Sequence, residues 1–358
     1  MVNLLYNMNF DVLFLIVVVA SMVTMFSTEL MAIMPIALRF KNNKTRLNVL
    51  SYIVPVWEVV GTFFVLWLVD MENVIPVLMP SIAYALFPLF AIFIFFLVVR
   101  NSFIIYAEFV WHENKYFDER KLYAIYTVAT FVMGIMALSI LAAITSGYGV
   151  HIFGYGAESA IPYSASYTDF GVFYSHLSVI GFIIGALILA NGLGMVFYRQ
   201  TETKTMIGRF MPLILVAIGL AIFMPSYSAM SGKDYSLNAD LIIIPIIIAL
   251  IIPILYAFKE TTYLASYKPF MILLTIISIT FLELREYPIV FGYANYPGNI
   301  PMVITDSPML YLAFLISAIG GTWLVAMMIY YAYVSNHRIT KLIPENPTKP
   351  VKKMQAGK

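Results

Sequence analysis

The sequence contains no cysteine, and only 11% of its 358 residues are charged. The absence of cysteine excludes structural disulfides, thiolate metal sites and thiol catalysis on this chain. An ordinary soluble domain carries about 25% charged residues, so a chain with 61% apolar residues is typical of an integral membrane protein. The net charge of +2 is small, and no block of lysine or arginine alternates with aromatic residues as a nucleic-acid groove requires.

Long apolar runs fill most of the chain. A helix needs ~20 apolar residues to cross about 30 Å of hydrocarbon, and nine segments approach that length. They predict an all-α fold, a polytopic membrane helical bundle with about nine transmembrane helices. The segments cover approximately residues 12–36, 47–69, 76–99, 122–146, 171–197, 210–229, 241–257, 268–284 and 309–334.

The distribution of lysine and arginine predicts the orientation of this bundle in the cell membrane. Nineteen of the 21 basic residues fall in the odd-numbered connections and the C-terminal tail, while Lys233 and Arg285 fall on the other side. Because basic residues accumulate in cytoplasmic loops, we expect the N-terminus outside and the C-terminus in the cytoplasm. The predicted organisation is a single transmembrane helical domain over residues 1–340 and a flexible, basic cytoplasmic tail over residues 341–358, near anionic lipid.

Two loops on the predicted outer side carry few charges. Residues 147–168 contain Gly, Ser and Tyr with His151 and Glu158, and residues 287–308 contain Asp306. Two interpretations stay open. The loops either pack on a partner and cap the helices, or face an acidic exterior in which carboxylates would be protonated and lose their solubilising value.

Glu58 lies near the middle of the second apolar segment, three residues after Pro55 and next to Trp57. A charge at that depth is disfavoured by roughly 3 kcal/mol or more, so a polar group must face it. Pro55 removes one helical N–H donor and loosens the carbonyl one turn back. This local opening would give the acid access to partners or water.

Glu29 and Glu58 together predict a proton path in which two acids lie at successive depths in the membrane. At 1.5 Å per residue, Glu29 lies on the order of 10–15 Å from the predicted cytoplasmic surface and Glu58 roughly 16 Å. Arg100 ends the third segment on the same side, and Glu108 follows it, so the two form a candidate entrance. Intramembrane ionisable residues are functional by default, which favours a proton path through these four residues. In the alternative interpretation, both acids pair with Arg100 or a neighbouring subunit and fix helix packing.

Histidine and methionine give little sign of a cofactor. Of the four histidines, only His176 lies in or near an apolar segment. We expect it to be a hydrogen-bonded interface residue, with haem ligation as the alternative. The 21 methionines are scattered as core filler. No Ser/His/Asp set, phosphate-binding glycine loop or metal-spaced cluster is present, so we expect no catalytic residue and no metal site on this chain.

A series of short motifs runs along the whole chain. In order, they are Ser27-Thr28-Glu29, Asn48-Val49-Leu50-Ser51, Pro55-Val56-Trp57-Glu58, Arg100-Asn101-Ser102-Phe103 with Tyr106, Asn191-Gly192, Tyr198, Lys204-Thr205, Tyr287-Pro288, Thr305-Asp306-Ser307, Tyr330-Tyr331-Ala332-Tyr333 and Arg338-Ile339-Thr340. In this order and spacing the chain resembles subunit II of cytochrome bd quinol oxidases, in which a Pro-x-Trp-Asp motif lies on the second helix.

The motifs also depart from the family pattern. Both aspartates expected from the resemblance are glutamates here, Glu29 and Glu58, which keeps the carboxyl but moves it by one methylene. The family's continuation after the midplane acid is replaced by Val59-Val60-Gly61-Thr62-Phe63, a further acid by Ile105 and a basic residue by Phe109; Glu108 is a candidate substitute for that acid. The resemblance therefore indicates a divergent member.

The resemblance implies a function that the residues alone do not. It implies a non-haem subunit of a quinol:oxygen oxidoreductase that stabilises the haem-bearing subunit I and lines a proton path from the cytoplasm. Subunit I would oxidise the quinol and hold haem b and haem d type groups. Pro55, Trp57, Asn191 and Asp306 would be structural residues near the site, and a quinone or lipid is a candidate ligand between the helices of this chain.

Two other classes of protein stay open. A proton-coupled secondary transporter would use Glu29 and Glu58 as coupling carboxylates, but it should contain inverted repeats with matching broken helices, and Pro55 has no obvious mate. A non-catalytic subunit of another respiratory membrane complex is the second alternative.

Overall fold

The computed structural model describes residues 10–39, 43–107, 119–154, 161–198, 206–232, 240–258, 267–287, 289–295, 298–299 and 308–342. Over these ranges the chain is all-α, with eleven helices and four two-residue strands, as the apolar segments predicted. The helices are α1 Phe10–Arg39, α2 Asn43–Val74, α3 Met79–Ala85, α4 Phe87–Ile105, α5 Glu119–Ser146, α6 Phe170–Ser175, α7 Leu177–Phe197, α8 Met206–Ser231, α9 Asp240–Phe258, α10 Tyr267–Glu286 and α11 Pro308–Leu342. The strands are β1 Val150–His151, β2 Tyr167–Thr168, β3 Ile289–Val290 and β4 Gly298–Asn299.

Eight of these helices are long and apolar enough to cross a membrane: α1, α2, α4, α5, α7, α8, α9 and α11. The chain is therefore built as a multi-pass membrane protein. The ninth predicted segment, residues 268–284, is also helical, but α10 carries Lys268 near its start and Glu283, Arg285 and Glu286 near its end. Because of these charges, α10 does not count as a helix apolar enough to cross a membrane. The described residues therefore contain eight such spans, where about nine were predicted.

The predicted segment 76–99 is two helices, which corrects the single helix expected there. Helix α3 ends at Ala85 and α4 begins at Phe87, with Leu86 between them at φ −103° and ψ 9°. Pro88 explains the break, because a proline lacks the N–H donor and its ring clashes with the carbonyl of the preceding turn. Proline is accommodated in the first turn of a new helix, where α4 has it.

The predicted segment 171–197 is also divided, at His176. The backbone there is extended, with φ −77° and ψ 116°, and separates α6 from α7. Asp169 caps the short α6, since its Oδ1 accepts hydrogen bonds from the backbone N–H groups of Gly171 at 2.9 Å and Val172 at 3.1 Å. In α2, by contrast, the helix continues through Pro55.

Helix α1 occupies the centre of the bundle. It packs against α2, α5, α7 and α10, and 67% of the residues in its most apolar stretch are buried, against 22% for α4 and α11. Its serine and threonine hydroxyls bind to the backbone of their own helix. The hydroxyls of Ser21, Thr24 and Ser27 each donate to the carbonyl four residues earlier, at 2.7–2.8 Å, which removes the cost of burying an unpaired hydroxyl.

Helices α1 and α7 approach each other closely at Gly194. A Cβ atom at this position would lie 2.4 Å from the backbone carbonyl oxygen of Met31. Small residues at helix interfaces let backbones approach in this way in membrane bundles. The contact fixes the end of α7 against the second half of α1, beside Glu29.

At one end of the bundle a set of loops covers the helix ends; we call it the loop end. The backbone N–H of Phe291 donates to the carbonyl of Ile144 at 2.8 Å, and that of Tyr293 donates to the carbonyl of Ser146 at 2.7 Å. Phe291 is fully buried and adopts φ +57°, rare for a residue with a side chain. The segment after α10 thereby caps the last turn of α5.

Candidate functional site

Glu29 of α1 and Arg100 of α4 form an ion pair inside the bundle. The Arg100 Nη2 donates to Glu29 Oε1, and the two side chains are 0% and 2% exposed, respectively. The Arg100 Nη1 donates a second hydrogen bond to Asn101 Oδ1 at 2.9 Å. A buried carboxylate is tolerated when a cation and hydrogen bonds compensate for its lost hydration, so each member of the pair makes the burial of the other possible.

The pair keeps unused hydrogen-bonding capacity. The second carboxylate oxygen of Glu29 and the Nε of Arg100 are buried, and neither has a hydrogen-bond partner among the described residues. The Tyr126 ring of α5 lies over the guanidinium, with Arg100 Cζ 5.9 Å from its centroid. Buried polar groups are nearly always paired with protein or with ordered water, so these two atoms are able to bind a further polar group.

A second group of aromatic side chains lies next to the pair along α1. The Tyr198 hydroxyl donates to the carbonyl oxygen of Thr28 at 2.8 Å, one residue before Glu29. The Tyr52 ring of α2 meets Phe197 edge-on at 5.1 Å between centroids and Tyr198 at 6.3 Å. Both tyrosines are fully buried. Tyr198, at the end of α7, is thus hydrogen-bonded to the backbone of α1 next to Glu29. Tyr52, in the first third of α2, contacts the Tyr198 ring.

Lys268 completes this group from α10. Its side chain is 2% exposed, and its Nζ lies 5.6 Å from the Tyr52 ring centroid, 5.3 Å from that of Phe197 and 5.4 Å from that of Tyr198. The ammonium also lies 3.5 Å from Ser335 Oγ of α11. Because these residues lie where α4, α7 and α11 end and α10 begins, we call this end of the bundle the basic end.

The structure therefore brings together two of the four residues of the predicted proton path. Glu29 and Arg100 are in contact, whereas Glu108 lies outside the described residues. Glu58 lies on the described helix α2, but its side chain also lies outside the described part of the chain. The geometry of the pair is compatible with both the proton path and the helix-packing alternative.

Three of the four residues predicted to be structural near the site lie in the described ranges. Pro55 and Trp57 are half-buried on α2. Asn191 of α7 donates from Nδ2 to the carbonyl of Leu187 at 2.8 Å, within its own helix. Asp306 lies outside the described residues.

His176 lies at the loop end. Its ring stacks on Tyr148 at 3.7 Å between centroids, and Tyr148 stacks in turn on Tyr293 at 4.7 Å. Burial, and secondarily the neighbouring Tyr293, raise the pKa of the Tyr148 hydroxyl, which donates to the carbonyl of Ala229 at 3.2 Å. The described residues contain no group of three or more His, Cys, Asp or Glu side chains placed to hold a metal ion.

Sequence reasoning missed a second polar cluster, at the loop end. Arg285 donates from Nη1 to Ser231 Oγ at 2.8 Å and from Nη2 to Ser228 Oγ at 3.3 Å. Its Cζ lies 5.6 Å from the ring centroid of Tyr227, and Glu286 Oε1 lies 3.9 Å from Nη1. Arg285 had been assigned to an outer loop because it follows the apolar stretch, and a charge count alone does not reveal burial.

Two adjoining cavities of about 210 and 200 Å³ lie around α1; together we call them the hollow. Both are lined by Ser27 of α1, Thr145 of α5, and Glu283 and Glu286 of α10, within otherwise mostly apolar walls. Trp67 lines the larger cavity; it is 5% exposed, and its indole N–H has no hydrogen-bond partner among the described residues. The hollow thus has apolar walls and a few polar groups, the usual character of a site for an apolar ligand.

Comparison with solved structures shows that the fold is shared with known proteins. The chain matches a chain in the structure of bd oxidase from Geobacillus thermodenitrificans with a TM-score of 0.62 and 16% sequence identity. The match covers 89% of this chain and 95% of that chain. No protein-family model and no curated protein matches the sequence. The polytopic bundle is therefore of a bd-oxidase-like fold.

Replacing Arg100 with methionine should destabilise the protein more than replacing both members of the pair. In R100M the Glu29 carboxylate loses its cation, and we expect a loss of about 3 kcal/mol, the lower end for a broken buried pair because Glu29 can take up a proton. The double variant E29Q/R100M leaves no buried charge and should recover part of this. Thermal unfolding of the purified membrane protein measures both, and a double variant as unstable as R100M would contradict the expectation.

Proposed function

We propose that this chain is a non-haem subunit, of the subunit II type, in a cytochrome bd-like quinol:oxygen oxidoreductase of the cell membrane. The chain would stabilise a haem-bearing subunit I and contribute a proton path from the cytoplasm. The observation that carries the proposal is the fold shared with bd oxidase over 89% of the chain. The full-length order of motifs around Glu29, Glu58 and Arg100 agrees with it.

The basic end supports a proton path. A relay acid must exchange its proton readily, which requires the effects of a neighbouring cation and of burial on the carboxyl to be roughly balanced. Both effects act on the Glu29 carboxyl, because it is buried and contacts Arg100. The Glu29 oxygen that has no partner among the described residues offers a place for the water or proton that a relay passes on.

One exposed face of the bundle suits a membrane partner. Helices α2 and α11 pack together, and Val65 of α2 and Trp323 of α11 are 58% and 67% exposed. Gly61 and Gly320 lie one turn before them, and a Cβ at either position would have no neighbour within 4 Å among the described residues. Small residues on a membrane helix allow another helix to approach closely, so we assign this face to subunit I.

Position 58 lies on the same face of α2. It precedes Thr62 by four residues and Val65 by seven, a spacing that places all three on one side of a helix. A carboxyl near the bilayer midplane needs a polar partner, and a neighbouring subunit on this face would supply it. Glu58 would then be the point at which protons pass from this chain to subunit I.

The hollow is the candidate site for a quinone or lipid. Its apolar walls fit a hydrocarbon chain, and the Trp67 indole N–H and the Glu283 carboxyl can hydrogen-bond a polar headgroup. Organic extraction and mass spectrometry of the purified complex should yield such a molecule in a stoichiometric amount. W67F should reduce its occupancy, whereas Y84F, which alters an exposed tyrosine outside the hollow, should not.

The proposal predicts haem in the native complex. When the chain is affinity-purified from its own membrane, the visible absorption spectrum should contain haem bands, and a histidine-rich helical partner should copurify. A spectrum without haem bands would contradict the proposal and favour a secondary transporter. Haem bands with a partner that does not reduce oxygen would favour a subunit of another respiratory complex.

Replacing Glu58 with glutamine should slow oxygen consumption by the assembled complex by at least tenfold, because glutamine cannot carry the proton. The matched control is E72Q, since Glu72 lies on the same helix but near its end at Val74, away from the predicted path, and should leave the rate unchanged. Haem content is measured in both variants to confirm assembly. Normal turnover of E58Q at normal haem content would remove the relay role and leave the helix-packing interpretation.

A further inference from the structure

Lys268 is a cation held among aromatic rings, and its sequence position alone had placed it in a basic loop. Its Nζ lies within 5.3–5.6 Å of the ring centroids of Tyr52, Phe197 and Tyr198. Ring faces attract a cation, and more strongly away from water. The cage therefore favours the charged ammonium, although Lys268 is 2% exposed.

The cage is connected to the acid by direct contacts. Tyr198 offers its ring to Lys268 and donates its hydroxyl to the Thr28 carbonyl at 2.8 Å. Thr28 is followed by Glu29, whose carboxyl meets Arg100 from α4. Lys268 is thus linked to this turn of α1 indirectly, through Tyr198 at the end of α7. Arg100 of α4 contacts Glu29 directly.

The same cage joins four helices. Tyr52 belongs to α2, Phe197 and Tyr198 to the end of α7, Lys268 to α10, and Ser335, 3.5 Å from the ammonium, to α11. Of these, α2, α7 and α10 all pack against α1. Loss of the cation would therefore loosen the walls around Glu29 as well as remove a positive charge.

We propose that Lys268 is a positioning residue for the Glu29 carboxyl: held by Tyr52, Phe197 and Tyr198, it fixes the end of α7 against Thr28. It also places a second positive charge behind Tyr198, whose hydroxyl binds the residue before the acid. The inference rests on the proposed function, in which Glu29 exchanges protons. Lys268 itself carries no proton along the path. It sets the pH at which Glu29 is ready to accept one.

The direction of the effect follows from electrostatics. A nearby positive charge favours the ionised carboxylate, so its removal makes Glu29 hold its proton up to a higher pH. In K268M the low-pH limb of the oxygen-consumption profile should move upward by up to about one pH unit, since a cation that acts across Tyr198 has less effect than one in direct contact. K268R keeps the charge and should keep the wild-type profile.

The experiment measures the pH profile of oxygen consumption in the purified complex for K268M, K268R, Y198F and E29Q, together with haem content. Y198F keeps the ring over the ammonium but loses the hydroxyl bound to Thr28, and should move the same limb. The matched control is K121M, because Lys121 lies on α5 near the basic end but is exposed. It should leave the profile unchanged.

The outcomes separate the inference from the proposed function. A wild-type profile in K268M, with E29Q strongly impaired, would overturn the role of Lys268 and leave the proton path intact. If K268M fails to assemble with haem, the Y198F variant provides the test instead. A wild-type pH profile in Y198F would then overturn the inference. If E29Q keeps full activity, the proton path through Glu29 falls, and the role of Lys268 falls with it.

Discussion

The buried contact between Glu29 and Arg100 is the constraint around which the basic end is arranged. A carboxylate and a guanidinium are both costly in an apolar interior, and each is tolerated there because it compensates the other. Glu29 belongs to the central helix α1, so the pair fixes the rotation of that helix relative to α4. Tyr126, Tyr198 and Lys268 then lie around a centre whose charges are already balanced in part. The polar interior is small, and most of its members touch α1 or its neighbours.

Away from this centre the bundle depends on close packing rather than on polar contacts. The hydroxyls of α1 return to their own backbone, and Gly194 lets α7 approach the carbonyl of Met31. Such contacts suit a lipid environment, where apolar burial between helices gains little and close packing stabilises instead. The hollow, in contrast, leaves about 210 and 200 Å³ of space around α1 among the described residues.

The approximate positions of the long helices could be predicted because a membrane span needs a long apolar run, whereas the number of helices could not. The breaks at Leu86 and His176 were missed, the first because a proline two residues later ends one helix and starts another without interrupting the apolar run. Arg100 and Glu29 were selected from the sequence as intramembrane charges, and their pairing was one of two interpretations. The apolar pattern could not decide between them, since 71 residues separate the two. Lys268 and Arg285 were placed in loops because both lie at the ends of an apolar segment. Their burial depends on aromatic and hydroxyl partners from other helices, which no local pattern reveals.

Helix α10 differs from its neighbours in a way that bears on biogenesis. Its uncharged stretch, residues 269–282, is shorter than the ~20 residues that partition stably into a bilayer by themselves. Each charge drawn toward the hydrocarbon adds up to about 3 kcal/mol to the cost of insertion. The translocon would therefore release α10 into lipid only together with helices that shield Lys268 and Arg285. The residues that create the polar interior also make the late steps of membrane insertion cooperative.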